Sequence, residues 1–176
     1  VRCSLLAAGT ADADAIANLH VESWRSAYRG LLPDSFLDGP VSDDRVTLWR
    51  GRLDTNAADR QLVLKAVSDD TLTGFVCVLL DADPVLGPLL DNLHVKPSFK
   101  GTGIGSSLFR AAREWVEQKA PAQPMHLWVL EGNLPARRFY DRHGGQVAEH
   151  RIRQVVPGLL APELRYEWKP RDRARS

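Results

Sequence analysis

The sequence predicts an α/β fold of the α+β kind, with a mixed central sheet of about six or seven strands flanked by helices. Three observations lead there. Two strand-like runs flank Ser68-Asp69-Asp70 and read as an antiparallel hairpin. Between residues 89 and 130 an apolar run, a glycine-rich loop, an amphipathic stretch and a second apolar run follow in order, the pattern of a crossover joining parallel strands. A closing pair of strand-like runs, at 146–155 and 164–168, follows. A chain of 176 residues suits one domain with a real core, expected over 1–170, with 171–176 a basic flexible tail.

The elements can be justified in turn. Residues 2–6 suit a first strand. Thr10 is a candidate N-cap, and Ile16, Leu19, His20, Ser23 and Ala27 recur at helical spacing through Tyr28, where Gly30 ends the run. Shorter helical stretches follow at 33–37 and 43–53. Residues 62–67 and 72–80 form the hairpin. Pro84, Gly87 and Pro88 break the chain before a strand at 89–95. Leu108, Ala112, Trp115, Val116 and Lys119 mark a helix over 103–119, then come a strand at 125–130 and a helix at 134–143.

The loop Lys100-Gly101-Thr102-Gly103-Ile104-Gly105 carries the most chemistry. Alternate glycines let backbone N–H groups approach a ligand, and the following helix adds a positive end of roughly +0.5 charge. That makes a seat for a phosphate or pyrophosphate. The mononucleotide P-loop loses ground, because no Lys-Ser or Lys-Thr pair follows the glycines, though a nucleotide-binding protein stays open as a third reading. The dinucleotide fingerprint fails too: the glycine spacing is wrong, and the strand at 125–130 carries no acidic residue.

With its flanks the loop resembles the acyl-CoA-binding motif [RQ]-x-x-G-x-[GA] of the GNAT superfamily of N-acetyltransferases, with Lys100 in the Arg or Gln position. A second stretch, N-L-P-A-R-R-F-Y-D-R-H-G-G at 133–145, is similar to that superfamily's N-x-x-A-x-x-F-Y-x-x-x-G-[FW] segment. A third, H-V-E-S-W-R-S-A-Y-R-G-L-L-P at 20–33, resembles a stretch shared by many members, in the helix pair that roofs their acceptor site. The resemblance implies a splay between the fourth and fifth strands, into which the pantetheine arm of acetyl-CoA enters and pairs with the backbone of Leu93 and Val95. It implies a cofactor seat made of Leu93, His94, Val95, Lys100, Gly101, Thr102, Gly103, Ile104, Gly105, Ser106, Asn133, Ala136, Phe139 and Tyr140. Gly145 departs from the pattern, which has Phe or Trp there, and its lack of a side chain is expected to loosen the sheet edge.

N-acetyl transfer needs a base for the protonated amine and a proton donor for the departing thiolate. By the resemblance Tyr140 lies beside the thioester sulfur, and a phenol can donate at neutral pH; the alternative is core packing with Phe139. Asp91 is the candidate base, as a carboxylate in an apolar sheet has a raised pKa; the alternative is a solvated strand end. His94 also titrates near neutral pH, but strand alternation puts it opposite Asp91. Trp24 and Tyr28 share one helix face with His20, either lining an acceptor pocket or packing in the core. Glu22 and Asp34 are acidic candidates for attracting an amine.

A net charge of +1 gives no electrostatic argument for nucleic acid, and no apolar run is long enough for a membrane span. No signal-peptide pattern opens the sequence, and Cys3 and Cys77 read as reduced core thiols, so a cytoplasmic location is expected. His and Cys spacings match no metal motif, so no metal is expected. The G-x-S-x-G elbow of a hydrolase is missing, and no Cys or Ser is placed as a nucleophile, so attack is expected to be direct. The expected activity is acetyl-CoA-dependent N-acetylation of a primary amine, small or protein-borne, with a homodimer among the expected assemblies. A non-catalytic acyl-CoA sensor on the same fold is the rival reading.

Overall fold

A computed structural model describes residues 3–54 and 59–170, so Arg2 and the basic tail at 171–176 lie outside the described residues. Seven strands form one sheet in the order β1-β2-β3-β4-β5-β7-β6. They are β1 (Ser4–Ala7), β2 (Gln61–Ser68), β3 (Thr71–Leu79), β4 (Leu89–Val95), β5 (Met125–Leu130), β6 (Gln146–Val156) and β7 (Leu159–Trp168). Every neighbouring pair is antiparallel except β4 and β5, which are parallel, so the sheet is mixed as the pattern predicts. The helices are α1 (Ala13–Tyr28), α2 (Asp34–Leu37), α3 (Val41–Leu53), α4 (Ile104–Lys119) and α5 (Leu134–Arg142).

Three local outcomes differ from the sequence reading. Thr10 does not cap α1; it opens a short 3-10 turn, Thr10–Asp12, whose Asp12 carboxylate accepts the Gly9 N–H at 2.9 Å. The β2–β3 turn places Asp69 and Asp70 at φ 47° and 59°, a left-handed pair that aspartate tolerates better than most side chains. Strand β7 starts five residues before the expected 164 because Pro162 reads as a strand breaker. Pro162 pairs with Ile152 of β6, and on the β5 side it needs only its carbonyl, which a proline keeps and which accepts Glu131 N–H at 2.9 Å.

Apolar side chains fill both faces. On one, Ile16 and Ala17 of α1 and Trp49 of α3 meet Phe75 and Cys77 of β3. On the other, Leu108, Phe109 and Ala112 of α4 pack on Val76, Val78 and Leu127, and α5 adds Tyr140. Leu108, Ile16 and Trp49 are fully buried, and each such side chain contributes about 1.5–3 kcal/mol.

The central gap positions the site. Strands β4 and β5 pair only at Leu89 and His126 and then part. On its other edge β4 carries a bulge: Cys77 faces Asn92 and Val78 faces Leu90, leaving Asp91 as the extra residue. A bulge bends and twists its strand, which helps β4 diverge from β5. It also breaks the alternation, so Leu90 and Leu93 both reach the α4 face of the sheet.

Candidate active site

The glycine loop sits at the open end of the gap. Gly101 and Gly103 have φ of 80° and 90°, and a Cβ at either would meet nothing within 4 Å. These glycines are needed for backbone conformation, not for space. Gly103 leads into α4, whose first N–H groups have no intrahelical acceptor and stand beside the loop. Gly105 has a different reason: its Cβ would lie 3.5 Å from Phe139 and Val95, close to α5 and β4.

Behind the loop a cavity of about 570 Å³ runs along the gap. Leu93, His94, Val95, Lys100, Gly101, Gly103, Gly105, Ser106, Asn133, Ala136, Phe139 and Tyr140 line it. Two expected seat residues do not present side chains there. Ile104 is buried in the core, and the Thr102 hydroxyl donates to Phe99 O at 2.7 Å. Ser106 lines the cavity but donates its hydroxyl to His143 Nε2 at 3.0 Å, because His143 Nδ1 is committed as donor to Phe139 O at 2.8 Å. Phe99, Trp128 and Arg142 also line it and escaped the sequence reading; only the position of Arg142 beside the 133–145 motif hinted at a role.

Backbone direction along β4 follows from one bond. Lys96 N–H donates to Thr73 O on the β3 side at 2.8 Å. Every second residue turns the same way, so His94 turns its backbone to β3 while Leu93 and Val95 turn theirs into the gap. His94 therefore offers the cavity its side chain alone.

A second cavity, of about 480 Å³, lies on the α1–α3 face. Tyr28, Leu90, Asp91, Asn92, His94 and Trp128 line both cavities, so the two meet at the gap. Trp24 opens onto the second. The helix stripe is thus divided: Trp24 and Tyr28 face the cavities, while His20 is buried and accepts Trp49 Nε1–H at 3.0 Å. Glu22 lines neither, and Asp34 pairs with Arg29 at 2.9 Å.

Two expectations about the base are corrected here. The bulge puts Asp91 and His94 on the same cavity, not on opposite faces. Asp91 does not sit in apolar surroundings: it is exposed, ion-paired with Arg52 at 2.5 Å, and accepts from Asn92 at 2.5 Å. Both bonds fall on Oδ2. His94 shares a hydrogen bond with Ser23 at 2.9 Å, and burial, with Arg45 and Lys100 nearby, lowers its pKa to about 3. A base works best with a pKa near the working pH, so His94 is poorly suited to that role.

The Tyr140 phenol lies well above its usual pKa, through burial and then the neighbouring Tyr28, so it keeps its proton. Tyr28 is likewise raised by burial and is hydrogen-bonded to Asn133, whose Oδ1 also caps α5 at Ala136 N, 3.3 Å away. Among the described residues no group of His, Cys, Asp and Glu side chains is placed to hold a metal, and no helix is long and apolar enough to cross a membrane.

With loop, gap and cavities in place, comparison with known proteins decides the family. A profile described as the acetyltransferase (GNAT) family matches residues 14–145. The chain belongs to that family. Among solved structures, PaiA N-acetyltransferase from Thermoplasma acidophilum, in complex with coenzyme A, aligns at TM-score 0.79 and 19% identity, over 96% of this chain and 99% of that one. The yncA protein from Salmonella typhimurium, with its cofactor acetyl-CoA, aligns at 0.70 and 15% identity, over 100% and 98%. At such identities the likeness speaks for the GNAT fold alone. A Bacillus subtilis (strain 168) protein, provisionally named [ribosomal protein bS18]-alanine N-acetyltransferase, is 35% identical over 57 residues. That match spans 32% of this chain and 37% of the relative, little more than a third of its length.

His20 and His94 make the stability of this GNAT protein pH-dependent. Burial lowers the pKa of both His94 and His20, and His20 also feels His94, Arg45 and Arg52. The unfolded chain binds these protons from about pH 6.5 downward while the folded protein stays neutral, so stability falls as pH drops. The slope is up to about 1.4 kcal/mol per pH unit for each histidine, and for His94 it extends toward pH 3. Melting temperature measured from pH 7.5 to 5 should decline, and less steeply in His94→Gln; an equal slope in the variant removes His94 as a cause.

Proposed function

We propose that this protein transfers the acetyl group of acetyl-CoA to a primary amine by direct attack within a ternary complex. The meeting of the two cavities at the β4–β5 gap carries the reading, because it lets a cofactor from one face reach an acceptor on the other. A cofactor sensor has no use for the second cavity, which favours the enzyme. The residues fit the cofactor: a positive-φ glycine loop and helix end suit a pyrophosphate, and the gap-facing backbone of Leu93 and Val95 suits an amide-bearing arm.

Bound acetyl-CoA supplies the thioester whose carbonyl carbon the amine nitrogen attacks, forming the C–N bond as the C–S bond breaks. Tyr140, held neutral, offers its O–H to the sulfur as negative charge develops there. Asp91 takes the amine proton, directly or through water, on the Oδ1 that neither Arg52 nor Asn92 engages. No thiol intervenes: Cys77 is buried, and burial pushes its pKa up to about 12. Free Cys3 and Cys77 suit a reducing compartment, so we place the reaction in the cytoplasm.

Titration calorimetry tests the cofactor. Acetyl-CoA is expected to bind in preference to ATP and NAD. Gly103→Ala is expected to weaken binding about tenfold, since a left-handed non-glycine residue costs roughly 1–2 kcal/mol. Preference for ATP or NAD would sink the transferase reading.

A further inference from the structure

The second cavity is lined by more positive than negative charge. Arg45, Arg52, Arg151 and Arg153 line it, against Asp91 and Glu163. Both carboxylates are already engaged by arginine. Asp91 pairs with Arg52 at 2.5 Å, and buried Glu163 accepts from Arg151 at 2.8 Å and from Arg153 at 3.1 Å. Neither is spare to hold a second ammonium group.

Arg45 differs from the other three. It stands on α3 with its guanidinium over the Trp24 ring, 4.7 Å from the centroid. Its partner Asp44 is an exposed neighbour on the same helix. Its Nε is buried with no hydrogen-bond partner, a cost of about 1–3 kcal/mol. It is also near enough to His94 for its charge to help keep that imidazole neutral. Arg45 lines the chamber where the amine must wait, and a guanidinium whose ion-pair partner is an exposed neighbour is suited to an anion there.

We propose that the acceptor is an amine that also carries an anionic group, a carboxylate or a phosphate, and that Arg45 binds that group. This rests on the transferase reading. It disfavours polyamines and aminoglycosides, whose extra ammonium groups would face the surplus of arginines.

The test uses matched acceptors differing only in the anion: lysine against cadaverine, tyrosine against tyramine, O-phosphoethanolamine against ethanolamine. With acetyl-CoA and the full chain, kcat/KM should favour one or more anionic members at least tenfold. The pair showing the larger ratio tells carboxylate from phosphate. Arg45→Gln should bring the ratio near one, mainly by raising KM for the anionic member, and Arg45→Lys should restore part of it. Better turnover of cadaverine, tyramine and ethanolamine would overturn the proposal and leave the transferase reading standing. Calorimetry of the same acceptors in the presence of CoA needs no turnover. Arg45-dependent binding of an anionic member without transfer would support the anion site and sink the transferase reading. Equal binding by both members of every pair, or binding by none, would overturn the proposal.

Discussion

Tyr140→Phe is expected to lower kcat about 10²- to 10³-fold while leaving acetyl-CoA affinity within a factor of two, the range set by loss of one positioned proton donor. The phenol is buried on α5 and lines the cavity along the β4–β5 gap. Burial raises its pKa, which weakens it as an acid in water. The same burial raises the proton affinity of a thiolate formed beside it, so the transfer between them is not uphill by the tyrosine's shift alone. The ring contacts survive the substitution: Phe139, Tyr166 and Trp168 lie at centroid distances of 5.5, 5.7 and 5.8 Å. Melting temperature should therefore barely move, which separates a chemical role from a packing one. Steady-state kinetics on the best acceptor, beside calorimetry of acetyl-CoA, would read it. A kcat within twofold of the parent would remove Tyr140 from the chemistry.

How much the sequence foretold follows from the range of the interactions involved. Strands β4 and β5 match the expected residues because each is an apolar run ended by proline, glycine or a charged turn, all local signals. The glycine loop is legible for the same reason, since its φ values belong to single residues. The bulge at Asp91 is not legible. It depends on the register between β3 and β4, and the strict alternation assumed without it put Asp91 and His94 on opposite faces. The environment of Asp91 was misjudged too, because Arg52, its partner, lies 39 residues away on α3. The arginines of the second cavity were missed for a related reason. They come from α3 and β6, far apart in sequence, and only the fold gathers them around Trp24 and Trp128.

Gly145→Ala is expected to destabilise the protein by roughly 1–3 kcal/mol, the usual cost of an overpacked core, and Gly145→Trp by more. The family's aromatic at this position suggested a loosened sheet edge, but the space is filled from elsewhere. A Cβ on Gly145 would lie 2.6 Å from Trp168 and 2.8 Å from Tyr166, both on β7. Neither ring can easily yield. Trp168 donates its indole N–H to His143 O at 2.9 Å, and Tyr166 donates its hydroxyl to Asp141 at 2.8 Å. The backbone is fixed as well, because Gly144 at φ 77° ends α5 and Gly145 N–H donates back to Tyr140 O at 3.0 Å. Trp168 thus fills the space beside Gly145 from β7. Urea denaturation of the Ala variant checks the cost. Gly145→Trp combined with Trp168→Ala should be more stable than Gly145→Trp alone, because the second change vacates the space that the first needs. No such recovery would mean that Trp168 does not fill that place. Since these contacts hold the end of α5, and α5 carries Tyr140, the Ala variant should also lose turnover at temperatures where it remains folded.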